Sequence, residues 1–84
     1  MSGVVLLFGR LKDAFGAVSI PLPAGVATVA ALRAELVRSN PDLAEMLRSR
    51  SIRIAVNQSL IADEVAAAIS DSDEIALLPP LSGG

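Results

Sequence analysis

Glu74-Ile75-Ala76-Leu77-Leu78-Pro79-Pro80-Leu81-Ser82-Gly83-Gly84 is a strand that runs into a tail. Glu74–Leu78 is strand-like, apolar after Glu74, and two prolines then hold the exit stiff. After Leu81 the side chains shrink, and two glycines carry no Cβ, so this end is thin and conformationally free. The five residues from Pro80 onward would reach roughly 16–18 Å beyond the body if fully extended. Such a tail can thread into a narrow active site of another protein and present the carboxylate of Gly84. It can equally be a frayed end or a linker remnant, and the remainder of the chain decides between the two.

Working back from the tail, Asp71-Ser72-Asp73 reads as a turn, its carboxylates able to accept nearby backbone N–H groups. Asp63–Ile69 is alanine-rich and predicts one helical turn or two. Ser51–Val56 alternates, with Ile52, Ile54 and Val56 on one side, as a half-buried strand does. Asn57-Gln58 turns the chain into a short return strand, Ser59-Leu60-Ile61. Thr28 is a good N-cap for a helix to about Ser39, with Val29, Leu32 and Leu36 as its buried stripe and Arg33 and Arg38 facing out. Asn40 as cap and Pro41 at the first position start a shorter amphipathic piece to about Arg48. Val4–Phe8 is a continuous apolar run, expected to be a strand buried on both faces. Leu11–Phe15 reads as a brief connection, and Ala17–Pro21 as an edge strand limited by Pro21 and Pro23, hairpinned to the first. This order predicts an α+β fold, one main helix crossing a mixed sheet. The domain is expected over 1–78, with 79–84 as an extended tail.

Composition narrows the chemistry. Eighty-four residues make one small domain. The chain is 52% hydrophobic with a mean hydropathy of +0.59, much of it alanine, which allows an exposed apolar patch for a partner. No cysteine and no histidine are present, removing thiolate chemistry, the usual general base and the commonest metal ligands. With no Trp or Tyr and a net charge of −2, nucleic-acid binding is not expected. No apolar run approaches a membrane span and no signal-peptide pattern opens the chain, which predicts no membrane association and a cytoplasmic protein. Every Lys and Arg lies at or before Arg53, and the later charges are all acidic. Those acids read as solvated turns or as a face that steers the tail towards a basic partner. Asp71 and Asp73 read as turn formers before they read as an acid/base pair, and Ser82 has no histidine to activate it. The carboxylate of Gly84 is therefore the one clearly presented reactive group.

Four stretches resemble one family in order along nearly the whole chain: Leu6-Leu7-Phe8-Gly9-Arg10-Leu11, Val56-Asn57-Gln58, Asp71-Ser72-Asp73-Glu74-Ile75, and Pro79-Pro80-Leu81-Ser82-Gly83-Gly84. The chain resembles the small, sulfur-carrying subunits of molybdopterin synthase, which are ubiquitin-like β-grasp proteins. The resemblance implies that Gly84 is adenylated by an ATP-dependent activating enzyme and converted to a thiocarboxylate. The tail residues Pro80, Leu81, Ser82 and Gly83 would then insert into the large synthase subunit. Sulfur would pass to cyclic pyranopterin monophosphate, in an assembly where two small subunits flank a dimer of large ones. No cofactor would be bound by the chain itself, ATP being used by the activating enzyme, and no metal. Phe8, Leu60 and Leu77, with Leu81, would form an apolar patch near the tail exit; for the first three the competing reading is core packing. Leu77-Leu78 stand where the family often carries aromatic residues. Carriers for thiamine thiazole or cysteine synthesis, a modifier joined to lysines through Gly84, and an interaction domain with an inert tail share many of these features.

Overall fold

The computed structural model describes residues 3–80. Five strands, β1 (Val4–Leu7), β2 (Ser19–Pro21), β3 (Arg53–Val56), β4 (Ser59–Leu60) and β5 (Glu74–Leu78), form one sheet in the order β2-β1-β5-β3-β4. β5 is the central strand. It pairs parallel with β1, Leu7 opposite Leu77, and antiparallel with β3, Arg53 opposite Leu78. β2 and β4 close the two edges, each antiparallel to its neighbour. The helices α1 (Gly9–Phe15), α2 (Val29–Ser39) and α3 (Pro41–Leu47) all send buried residues into one core: Leu11 from α1, Val29, Leu32 and Leu36 from α2, Leu43 and Leu47 from α3. Val5, Leu7, Ile54, Ile75 and Leu77 meet them from the sheet, and Ile52 from the run into β3. The helices therefore share one face of the sheet, and the other face is left without a covering layer among the described residues.

Local chemistry explains most boundaries. The Thr28 hydroxyl accepts the Ala31 N–H at 3.1 Å, as an N-cap should. Gly16 ends α1 in the left-handed region, φ 86°, which its missing Cβ permits. Asn57 and Gln58 both have positive φ, 49° and 73°, the geometry of the tight turn that matches strand twist in a two-residue hairpin.

Several expectations are corrected. β1 is not buried on both faces: Val5 and Leu7 are buried and Val4 and Leu6 half-buried, because one side of the sheet carries no helices. The connection after it is a helix, α1, and the β1–β2 pair is therefore joined by helix and loop instead of a tight hairpin. Asp63–Ile69 makes one turn, within the expected one or two, closed by Ala67 N–H to Asp63 C=O at 3.1 Å; what the sequence did not indicate is that it then straps along the start of α2 through Val29 N–H to Ala67 C=O and Ile69 N–H to Ala27 C=O, both 3.0 Å. The Asn40 side chain does not cap α3; its amide donates back to Leu36 C=O at 3.1 Å and closes α2.

Arg33 does not face solvent. Its guanidinium donates to both Glu64 oxygens (2.9 and 2.7 Å) and to the carbonyls of Leu47 (2.7 Å), Ser49 (3.2 Å) and Ile52 (2.6 Å). Arg33 lies four residues after Val29, on the flank of the buried stripe, so its long stem reaches the carbonyl end of α3 and satisfies groups a helix end leaves orphaned. One side chain thereby ties α2 to the end of α3, the run into β3 and the loop before residue 65.

Candidate functional site

The candidate site is the outlet of β5 and the uncovered sheet face beside it. Being central, β5 is held by hydrogen bonds on both sides, and its last residue, Leu78, is anchored opposite Arg53. The chain leaves the sheet through Pro79, which is half-buried, and Pro80, which is exposed. Pro79 is seated on the start of α1: a Cβ built on Gly9 would lie 2.9 Å from the Pro79 ring. Gly9 itself has φ +56°, a conformation that a side chain would strain.

Strand alternation identifies the face around this outlet. With Val5, Leu7, Ile54, Ile75 and Leu77 pointing into the core, the opposite set, Leu6, Ala55, Ala76 and Leu78, points outwards, and Leu60, opposite Ala55, joins them. Phe8 keeps extended backbone, φ −129° and ψ 155°, so it continues the outward series beyond Leu6. Phe8 is 44% exposed and Leu60 55%. A contiguous apolar surface therefore lies beside the tail root.

Of the expected docking residues, Phe8 and Leu60 lie on this surface. Leu77 does not: it is fully buried. Its inward direction follows from its register with Leu7 and Ile54, so core packing is its role, and Leu78 and Ala76 occupy the outward positions instead. Leu6, Ala76 and Leu78 join Phe8 and Leu60 on this surface: period-two counting from Ile75 identifies Ala76 and Leu78, while Leu6 follows only from its register with Ala76. Pro80 stands just past the strand. Leu81, Ser82, Gly83 and Gly84 lie outside the described residues.

A lock behind the outlet holds β5 in register. Asn57 donates its side-chain amide to Asp73 at 3.0 Å, accepts the Glu74 N–H at 2.9 Å, and donates its own N–H to the Glu74 carbonyl at 2.7 Å. Asp73 also accepts the Ser70 N–H at 2.8 Å. These bonds, Ser70 first and Asn57 second, hold the Asp73 carboxyl below the usual aspartate range. Asp73 is thus a turn-forming acceptor, and the Val56-Asn57-Gln58 and Asp71–Ile75 stretches are two halves of one lock. Among the described residues no group of three potential ligands could hold a metal ion, and no charged or polar residue is buried. No helix among them is long and apolar enough to cross a membrane.

The ThiS family's sequence profile matches residues 5–84. The chain is 34% identical over 80 residues to the molybdopterin synthase sulfur carrier subunit of Haemophilus influenzae, covering 95% of this chain and 96% of the relative. It is 37% identical over 82 residues to the protein of the same name from Arabidopsis thaliana, covering 95% and 80%. Among solved structures it resembles the small archaeal modifier protein 1 of Methanosarcina acetivorans, with a TM-score of 0.81, 30% identity and coverage of 99% and 96%. It also resembles a chain in the complex of subunits 1 and 2 of molybdopterin-converting factor from Helicobacter pylori, with a TM-score of 0.69, 31% identity and full coverage of both chains.

Proposed function

Because the chain belongs to the ThiS family and has the ubiquitin-like β-grasp fold, we propose that it is the sulfur carrier subunit of a molybdopterin synthase. The observation that carries this reading is the likeness to proteins of that name along 95% of the chain. The geometry agrees with it: the central strand leads out through Pro79 and Pro80 beside an apolar face.

In this reading residues 1–78 are the handle and 79–84 the working arm. The Gly84 carboxylate attacks the α-phosphorus of ATP on an activating enzyme, pyrophosphate leaves, and a sulfur donor displaces AMP to form the thiocarboxylate. The apolar face, with Phe8 and Leu60 at its exposed edges, then docks on the large synthase subunit while Pro80, Leu81, Ser82 and Gly83 enter its active site. Sulfur passes to cyclic pyranopterin monophosphate, and the carboxylate is regenerated by water. Acids and bases for these steps come from the partners, two small subunits flank a dimer of large ones, and the chemistry takes place in the cytoplasm.

Intact mass after incubation with the activating enzyme, ATP and a sulfur source tests this. One terminal oxygen should be replaced by sulfur, and the product should support molybdopterin formation with the large subunit. Removing Gly84 should abolish both while leaving circular dichroism and melting unchanged. Failure to gain sulfur, or full activity without Gly84, overturns the reading. The likeness to an archaeal modifier protein favours a second use of the same activated end, joining it to a lysine; conjugates in the same incubation with whole protein extract would reveal it.

A further inference from the structure

Next to the docking face lies a second surface of opposite character. Arg33, Arg48, Arg50, Arg53, Asp63 and Glu64 surround a concavity of about 710 Å³ whose apolar lining comes from Ala30 and the Ile61–Val65 loop. Arg33 and Glu64 neutralise one another through their two-pronged contact. Arg48, Arg50 and Arg53 make no ion pair among the described residues, and Asp63 answers only one of their charges. Arg50 and Arg53 both lie close enough to help hold the Glu64 carboxyl below the usual glutamate range, after Arg33 itself. The lining also includes Val65, 76% exposed. The chain is acidic overall, so an uncompensated basic concavity with an apolar side is a local feature and not a consequence of net charge.

Arg53 joins this concavity to the outlet. It stands opposite Leu78 on the outward face and donates a long contact to Ile61 C=O at 3.5 Å. A partner that covers Leu78, Leu60 and Phe8 therefore meets Arg53 at the margin of its footprint, and Arg50 and Arg48 beyond it. We infer that this concavity receives an acidic, partly apolar segment of the large synthase subunit; this rests on the function proposed above. Carboxylates of that segment would meet Arg48, Arg50 and Arg53, and an apolar side chain would cover Val65. A nucleic acid fits poorly, because Asp63 and Glu64 face the same space and no Trp or Tyr is available for stacking. Rim charges of this kind act mainly on the rate of association and on its salt dependence.

The test is association of the full-length chain with the large subunit of its own synthase, followed by stopped flow at about 50 mM and about 500 mM salt, where the screening length falls severalfold. The double variant Arg48→Glu/Arg50→Glu leaves the Arg33–Glu64 contact in place, and its circular dichroism and melting should match the unaltered chain. Its association should slow about tenfold at low salt and converge with the unaltered chain at high salt, as steering by charge requires. Arg38→Glu, on an exposed arginine outside the concavity, should change the rate less than twofold. Unchanged association of the double variant, or an equal loss per charge in Arg38→Glu, overturns the inference alone. If the unaltered chain forms no complex at all, the proposed function falls and this inference falls with it, so the two failures are distinguishable.

Discussion

Gly9 and Pro79 are in contact across the root of the tail: a Cβ on Gly9 would come within 2.9 Å of the proline ring. They are seventy residues apart in the chain, and their meeting sets where the last strand lets the backbone go. Gly9→Ala should therefore act twice. It strains a backbone at φ +56° and pushes Pro79 aside, costing about 1–2 kcal/mol of stability in urea unfolding. Sulfur transfer by the remaining folded protein should also fall, because the tail leaves in a shifted direction. Unchanged transfer per folded molecule would mean that this contact does not aim the tail.

Leu77 and Leu60 should separate stability from docking. Leu77→Ala opens a cavity in the core and should cost about 2–5 kcal/mol, seen as a lower denaturation midpoint. Leu60→Asp sits on an exposed edge strand and should change stability by no more than about 0.5 kcal/mol. It should nevertheless weaken binding to the large subunit markedly, read by titration calorimetry. Normal affinity in Leu60→Asp would remove this side of the sheet from the interface.

The Arg33–Glu64 contact makes stability depend on acid. Hydrogen bonds from Arg33 are the main cause that holds the Glu64 carboxyl below its ordinary value. Its contribution is thus complete above about pH 4.3, the value of an unfolded glutamate. It is lost as pH falls through the lower folded value, where the carboxylate takes up a proton. Asp73, lowered by Ser70 and Asn57, works in the same direction. Glu64→Gln should be less stable than the unaltered chain at pH 7, and the gap should narrow on acidification to about pH 3. Arg33→Ala should cost more, about 2–3 kcal/mol, since it also strips the carbonyls of Leu47 and Ile52 of their donor. A pH-independent gap between Glu64→Gln and the unaltered chain would show that the ion pair contributes nothing.

The sheet strands, the main helix and the outlet were readable from residues alone because they rest on short-range chemistry. Period-two alternation marks Arg53–Val56, the Thr28 cap and the Val29-Leu32-Leu36 spacing mark α2, and prolines end β5. Helix α1 escaped because Gly9–Phe15 carries one buried residue, Leu11, too few to show a period. The surface beside the tail is only half legible in the sequence: Phe8 and Leu60 lie on it as expected, but the outward position is Leu78 and not Leu77, a one-residue difference that exchanges the two faces of a strand.

By itself, the sequence determined the strands, helix α2 and the absence of thiol and imidazole side chains, since each depends on residue type and near neighbours. The tertiary structure alone decided that Arg33 is a clasp, that Gly9 carries Pro79, that Asn57 locks Asp73 and Glu74, and that three arginines share a concavity with Val65. Those relationships reach across as many as seventy positions, and only strand pairing and the packing of helices on one side of the sheet bring such distant groups within contact of one another.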